Sequence, residues 1–224
     1  ECVEGINEAS KFLDYPVVSG NVSFYNETKD KGIKPTPAIG GVGLIKDYQN
    51  MLTMNFKKEG GIVYVIGKTE GHLDQSIFAR DILNEKKGPP PSINLFNEKN
   101  IGNVILKLIE KKLIISCHDV SLGGILAAVT KMCIKGMKGL KINNLKGLTN
   151  KYEYFFGEDQ ARYIVEIPKE NVQTVVDILN KNSVHFDDLG VIHNKSIIFD
   201  HDINLPIEEL SDAHKYWMKE YMKN

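Results

Sequence analysis

Residues 19–23 (SGNVS) combine the side-chain types that bind a metal and a phosphate. The amide oxygen of Asn21 is a hard ligand of the kind that Mg²⁺ prefers, and the Ser23 hydroxyl can contact a phosphate or a substrate. Gly20 weakens a strand, so close approach of a ligand to its backbone would explain its presence there. From spacing alone, a bulged edge strand explains the same residues.

Residues 117–124 (CHDVSLGG) run from the end of an expected strand through two glycines into an expected helix. Exposed N–H groups at the helix start, near Gly123 and Gly124, would suit a phosphate, and Asp119 would suit its Mg²⁺. The alternative is structural: Asp119 or Ser121 caps the helix, and His118 is an ordinary core histidine.

Two further polar segments carry the same ambiguity. Residues 156–162 (FGEDQAR) offer Glu158 and Gln160 to a ligand, or form a solvated turn with a Glu158–Arg162 contact. Residues 71–76 (GHLDQS) precede an expected helix. The sequence contains no Walker A loop, G-x-S-x-G elbow, H-E-x-x-H motif or Rossmann fingerprint.

Composition indicates an ordinary globular protein. The 224 residues are 42% hydrophobic and 25% charged, with a formal net charge of −1. This balance gives no reason to expect nucleic acid or an anionic membrane as partner, and no apolar run approaches the length that spans a bilayer. Three cysteines without CxxC spacing favour packed thiols in a reducing, cytoplasmic compartment over disulfides or zinc.

The first part of the chain predicts a helix over 3–14 and strands over 17–26 and 38–45. Pro16 follows the helix, because proline disfavours the helical conformation of the residue before it. One helix and two strands bury too little surface for a domain. We therefore expect residues 1 to about 56 to be the tail of a domain whose beginning is absent.

From Gly60 onward the pattern alternates between strands and helices. The expected strands are 61–66, 113–120, 160–167, 184–191 and 196–200, and the expected helices are 75–84, 97–112, 123–134 and 172–179. Such alternation, with some strands adjacent, predicts an α/β (α+β) fold: a mixed sheet with packed helices. A last helix carries an apolar stripe from Ile207 to Tyr221, which either closes the sheet or docks a partner.

Six segments, taken in order, resemble the C-terminal portion of the phosphoribosylformylglycinamidine synthase family, synthetase subunit. The resemblance covers essentially the whole chain. The segments are YPVVSGNVSFYNET, PTPAIGGVGLI, IGKTEGHLDQS, GPPPSINL, SCHDVSLGG and FGEDQARYIVEI.

The resemblance implies membership of the aminoimidazole ribonucleotide (AIR) synthetase superfamily. Residues 1–56 would be the truncated end of a β-rich AIR synthetase N-terminal-like domain. Residues 60–224 would be a complete AIR synthetase C-terminal-like domain. The rest of the synthetase, including the catalytic residues, would lie in a missing N-terminal half.

The resemblance also implies a reaction and its cofactors, ATP and Mg²⁺. The family converts formylglycinamide ribonucleotide to the amidine, using ammonia that a glutaminase subunit releases from glutamine. By motif match, Gly20 would contact ATP, Asn21 would hold Mg²⁺ and Ser23 would contact the substrate. The isolated chain is expected to be inactive, with the missing half, the glutaminase subunit and a small accessory subunit as partners.

The resemblance assigns six further residues to an auxiliary or vestigial site: His118, Asp119, Gly123, Gly124, Glu158 and Gln160. Asp74 and Leu122 depart from the family pattern, which argues against nucleotide binding there. The alternative function is a non-catalytic docking or dimerisation module, and unpaired edges at 17–45 predict a homodimer. A compact kinase of the same superfamily fits less well, because its metal-binding N-terminal segment is missing.

Overall fold

The computed structural model describes residues 1–22, 25–143, 150–199 and 203–223. The chain divides into two compact units, Glu1–Lys46 and Asp47–Asn224. The second unit begins at Asp47, ahead of the boundary expected between 56 and 60, because Phe56 is buried in its core. No helix in the described ranges is long and apolar enough to cross a membrane.

The first unit contains one helix and a very short hairpin. Helix α1 (Cys2–Leu13) confirms the expected helix, and strands β1 (Glu27–Thr28) and β2 (Lys31–Gly32) pair antiparallel. The strands expected over 17–26 and 38–45 are wrong for the described residues, which form no strand there and are exposed. β-Branched composition favours a strand only where a neighbouring strand accepts its hydrogen bonds.

The second unit is a seven-stranded sheet with helices on both faces. Its strands are β3 (Ile62–Ile66), β4 (Ser116–Asp119), β5 (Gly139–Ile142), β6 (Tyr163–Ile167), β7 (Phe186–His193), β8 (Ser196–Phe199) and β9 (Ile203–Pro206). Its helices are α2 (Ile77–Asp81), α3 (Leu95–Glu110), α4 (Gly124–Gly136), α5 (Lys151–Phe156), α6 (Val172–Lys181) and α7 (Ile207–Tyr221). Two 3₁₀ turns, Tyr48–Asn50 and Lys169–Asn171, complete the set.

The strand order is β4-β6-β3-β7-β5-β8-β9. Strands β5 and β8 pair in parallel and all other neighbours pair antiparallel, so the expected mixed sheet is confirmed. Strands β5 and β9 and helix α5 were not predicted from the sequence, because they are short and have little apolar periodicity. All of the other expected elements in this unit are present, although α2 is shorter than predicted.

The central strand β3 is apolar along its whole length because both of its faces are covered. Val63 and Val65 pack with α4 and α5 in one core, whereas Tyr64 and Ile66 pack with α3 and α6 in the other. This alternation is the two-residue period of a strand.

Helix α7 docks on the unit only at its start. Ile207 is fully buried and Leu210 is partly buried against the same core as α4. His214, Trp217 and Tyr221, which continue the expected stripe, are exposed. The closing-helix interpretation therefore holds for the first turn alone.

Candidate functional site

A cleft of about 650 Å³ lies beside the loop that follows β3. The start of α3, Glu153 on α5 and the segment before β6 form its other walls. Its lining is polar, apart from Leu73, Pro91, Ile101 and Ala161. The polar and glycine members are Lys68, Glu70, Gly71, His72, Asp74, Ser92, Asn94, Asn97, Glu153, Asp159 and Gln160.

Asp159 holds the loop after β3 in place. Its Oδ2 accepts hydrogen bonds from the backbone N–H groups of Glu70 (3.1 Å) and Gly71 (2.9 Å), and its Oδ1 accepts one from His72 (3.0 Å). Gly71 has φ +82°, a conformation that side chains disfavour and that lets consecutive N–H groups turn toward one point. The result is a backbone cradle filled by a buried carboxylate.

Arg162 lies directly behind this cradle with its side chain fully buried. Its guanidinium donates to the carbonyl oxygens of Gly157 (2.7 Å) and Asp159 (3.2 Å) and to Thr69 Oγ1 (3.2 Å). The Asp159 carboxylate is 3.6 Å from Nη1. Burial lowers the Arg162 pKa, and the Asp159 charge opposes that effect, so the guanidinium is retained as an ion by its partners. Since Asp159 and Arg162 are buried, the solvated turn is wrong, although the Glu158 charge does act on Arg162 and opposes the lowering of its pKa.

Glu158 points the other way, toward the start of two helices. Its Oε1 accepts from the backbone N–H groups of Ile77 (2.8 Å) and Gly123 (2.9 Å). The structure thus brings together two of the expected auxiliary-site residues, Glu158 and Gly123. The two residues are joined directly, by a hydrogen bond from the Gly123 N–H to Glu158 Oε1.

The two glycines before α4 are required by backbone geometry. Gly123 and Gly124 have φ of +83° and +69°, and a Cβ on Gly124 would lie 2.6 Å from the Phe155 carbonyl oxygen. Gly123 is the N-cap of α4, and no N-cap side chain accepts a hydrogen bond from the first N–H groups of this helix. The alternative in which Asp119 or Ser121 caps this helix is therefore wrong.

His118 and Asp119 form a pair at the end of the edge strand β4. His118 Nδ1 lies 3.1 Å from Asp119 Oδ1, the histidine is mostly buried and the aspartate is exposed. Burial lowers the His118 pKa, while Asp119 opposes this effect. His118 Nε2 is buried without a hydrogen-bond partner.

The segment 88–92 (GPPPS) forms a separate wall of the cleft and is tied to the loop after β3. His72 Nε2 lies 3.0 Å from the Pro89 carbonyl oxygen, and Gln75 Nε2 donates to the Gly88 carbonyl oxygen at 2.9 Å. The polyproline segment is thus a positioned wall, which its composition alone did not indicate. Gln160 is exposed at the cleft lining.

The cleft lining is acidic. Glu70, Asp74, Glu153 and Asp159 supply four carboxylates, and Lys68, the one lysine, lies 3.0 Å from Glu70. Within the described ranges, no three or more His, Cys, Asp or Glu side chains are grouped so that they could hold a metal ion.

The three residues expected to bind ATP, metal and substrate belong to the first unit. Gly20 and Asn21 lie in an exposed, unpaired stretch, and nothing lies within 4 Å of the position that a Gly20 Cβ would take. Asn21 is exposed, and an amide oxygen is a ligand type that Mg²⁺ accepts, so the residue fits a single oxygen ligand. Ser23 lies outside the described residues.

Sequence reasoning missed the two residues that organise the cleft, Asp159 and Arg162. Both occur in the FGEDQAR segment, but the residues of that segment that suggested a ligand site were Glu158 and Gln160, beside a turn glycine. A buried Arg three residues after an Asp could have been suspected only from the strongly apolar strand that follows it.

Solved structures share this fold. T. maritima PurL complexed with ATP covers 73% of this chain and 27% of its own, with TM-score 0.58 and 16% identity. T. maritima PurL complexed with FGAR gives TM-score 0.60 and 18% identity over 73% of this chain and 30% of its own. At these identities the likeness shows the fold alone.

Curated relatives match the chain from end to end. The phosphoribosylformylglycinamidine synthase subunit PurL of Pelagibacter ubique (strain HTCC1062) is 62% identical over all 224 residues, which are 31% of the relative. The same subunit of Rhodopseudomonas palustris (strain HaA2) is 38% identical over 99% of this chain and 30% of its own length. The chain thus spans about a third of these relatives.

One family model covers most of the second unit. Its match, residues 58–202, contains β3 to β8 and all the residues of the cleft. The family is described as AIR synthase related protein, C-terminal domain, and this chain belongs to it.

Proposed function

We propose that the chain is the C-terminal part of an ATP-dependent ligase of purine biosynthesis. The full enzyme would convert formylglycinamide ribonucleotide, glutamine-derived ammonia and ATP to formylglycinamidine ribonucleotide, ADP and phosphate. The observation that carries this proposal is the end-to-end match to the Pelagibacter subunit at 62% identity. The T. maritima structures with ATP and with FGAR support the same nucleotide and substrate.

The proposed contributions of this chain to the active site are small and specific. The backbone of Gly20, open on its side-chain face, would allow a phosphate to approach, and the Asn21 amide oxygen would be one ligand of Mg²⁺. When bound, Mg²⁺ would neutralise part of the phosphate charge during phosphoryl transfer. Ser23 would contact the substrate.

The remaining ligands and the acid–base groups would come from the rest of the synthetase. Mg²⁺ takes about six oxygen ligands, and Asn21 supplies one. The described residues contain no cluster that could supply the others. The chain alone should therefore bind Mg²⁺-ATP weakly and turn over no substrate.

The proposed partners follow from the same assignment. They are the N-terminal half of the synthetase, a glutaminase subunit and a small accessory subunit, all in the cytoplasm. A T. maritima structure named PurLQS supports a complex of this kind.

A docking or dimerisation module is the second candidate. Val18, Val42 and Leu44 in the first unit are at least 90% exposed, and apolar side chains exposed to that extent favour burial against a partner. Sedimentation of the chain with and without the remaining synthetase separates the two candidates. Self-association that persists when the other half is added would favour the module.

The test of the ligase assignment uses the full-length synthetase carrying Asn21→Ala. We expect ATP-dependent turnover with ammonia to fall by at least tenfold and the Mg²⁺ concentration needed for half-maximal rate to rise. Asn180→Ala, an exposed position at the end of α6, is the matched control and should leave both unchanged. Unchanged kinetics in Asn21→Ala would remove the metal role, and turnover by the isolated 224 residues would contradict the assignment of catalysis to the other half.

A further inference from the structure

Tyr15 connects two segments of the first unit through its hydroxyl group. The hydroxyl donates a hydrogen bond at 3.1 Å to the carbonyl oxygen of Val42, which lies 27 positions further along the chain. Residues 16–22, directly after Tyr15, contain the proposed ATP and Mg²⁺ contacts, and Val42 lies in the glycine-rich segment 39–43. Both ranges are described, and neither forms a strand. The Tyr15 hydroxyl therefore links them where strand pairing does not.

Gly41 lies beside this hydrogen bond and fits it sterically. A Cβ at position 41 would lie 2.8 Å from the Tyr15 hydroxyl oxygen, and the three atoms nearest to it all belong to the Tyr15 side chain. Gly41 has no positive φ, so its backbone conformation does not require glycine. A Cβ on the neighbouring Gly40 or Gly43 would meet nothing within 4 Å. At position 41, a side chain would displace the Tyr15 hydroxyl.

The backbone of Tyr15 is held by the end of helix α1. Asp14 has φ 56°, a left-handed conformation that commonly ends a helix, and the Tyr15 N–H donates to the Ser10 carbonyl oxygen at 2.9 Å. Pro16 then restricts its own φ and the conformation of Tyr15. The segment 16–22 thus starts from a residue whose backbone is fixed to α1 and whose side chain is fixed to Val42.

We infer that Tyr15 is a positioning residue: its hydroxyl holds residues 16–22 in the arrangement in which Gly20 meets ATP and Asn21 meets Mg²⁺. This inference rests on the proposed function and extends it to a residue that acts through Asn21. Mg²⁺ demands nearly ideal octahedral geometry, so displacement of one ligand weakens binding. Loss of the hydroxyl leaves the Tyr15 ring in place but releases the segment from Val42.

The experiment uses the full-length synthetase carrying Tyr15→Phe, which removes only the hydroxyl. Calorimetry gives the dissociation constant of a non-hydrolysable ATP analogue with Mg²⁺, and thermal unfolding is recorded without ligand. The net contribution of one hydrogen bond corresponds to a factor of about three to ten, so the dissociation constant and the Mg²⁺ concentration for half-maximal rate should rise by that factor. The melting temperature should stay within about 2 °C of wild type. Tyr48→Phe, an exposed tyrosine of the second unit, is the control and should change neither constant.

Gly41→Ala tests the same contact from the other side. Its Cβ would displace the hydroxyl, so the single change should weaken binding of the analogue about as much as Tyr15→Phe does. In the Tyr15→Phe protein the nearest remaining ring atom would lie 3.6 Å from that Cβ, an ordinary contact. Gly41→Ala should therefore add less than about a factor of two in the double variant. Independent, additive losses from the two changes would overturn the inference.

Asn21→Ala separates this inference from the proposed function. If Asn21→Ala leaves analogue binding and kinetics unchanged, the proposed metal role is wrong and the positioning role of Tyr15 is wrong with it. If Asn21→Ala weakens binding but Tyr15→Phe does not, the inference alone is wrong. If both weaken binding through the same metal ligand, Tyr15→Phe should not raise the Mg²⁺ requirement further once residue 21 is alanine. A lower melting temperature of Tyr15→Phe with unchanged binding would show a purely structural role and overturn the inference.

Discussion

Replacement of Asp159 by alanine should be among the most damaging single changes in the second unit. The change removes the acceptor of three backbone N–H groups and leaves the buried Arg162 guanidinium without the carboxylate 3.6 Å away. Breaking a buried ion pair by deleting one partner costs about 3–5 kcal/mol, because the other charge stays buried. Lost hydrogen bonds add about 1 kcal/mol, since water can reach the exposed Glu70. We therefore expect a loss of about 4–6 kcal/mol in the free energy of unfolding.

A double-mutant cycle with Arg162→Met isolates the electrostatic part. Methionine keeps an unbranched side chain in the buried space but carries no charge. In the Arg162→Met variant, Asp159→Ala no longer leaves a buried guanidinium without its carboxylate. Its cost should therefore be smaller by about 3 kcal/mol.

The assay is urea unfolding of the chain followed by circular dichroism, with Asp177→Ala as control. Asp177 is on α6 and accepts one hydrogen bond, from the exposed Gln173, so its loss should cost less than about 0.5 kcal/mol. Additivity of Asp159→Ala and Arg162→Met within about 0.5 kcal/mol would refute the ion-pair argument. If Asp159→Ala lowers the free energy of unfolding by less than about 1 kcal/mol, the claim that Asp159 stabilises the loop after β3 is wrong.

Three further changes test other parts of the second unit. Glu166→Ala should cost about 2–4 kcal/mol in urea unfolding, because this fully buried carboxylate accepts two backbone N–H groups at 2.7 and 2.8 Å; a neutral result would contradict it. Burial raises the pKa of Cys117 and Cys133 to about 12, so at pH 8 both stay as thiols. Mass spectrometry after brief alkylation should find only the exposed thiol near the N-terminus modified. Gly139→Ala should cost at least about 2 kcal/mol, since its Cβ would meet a backbone oxygen 1.9 Å away, whereas Gly102→Ala, with open space inside a helix, should stabilise by about 0.5–1 kcal/mol. Equal effects of the two glycine changes would be inconsistent with the backbone spacing described.

Elements stabilised by their own local pattern could be predicted from the sequence. The run GIVYVIG indicates a strand buried on both faces, and β3 is that strand. Apolar spacing from Ile101 to Leu108 predicts α3, whose buried residues are those same positions. In both cases the information lies within a few residues.

Features that depend on distant residues could not be predicted. Residues 38–45 have strand-like composition, but no strand in the described ranges pairs with them, and they are exposed. Glu158 was expected to face a ligand, because the sequence shows a carboxylate beside a turn but not the N–H groups of Ile77 and Gly123 that it meets. The hydrogen-bond donors lie 81 and 35 residues away, beyond any local pattern.

The order of strands in the sheet affects when this unit can fold during synthesis. The central strand β3 is made first, yet its two neighbours are β6 and β7, so that Ile62 pairs with Ile167 and Val191. At about 5–20 residues per second, the ribosome needs roughly 6–25 seconds to go from β3 to the end of β7. Until β6 is complete, late in that interval, the apolar strand β3 has neither partner, and chaperones that shield such segments would matter most then.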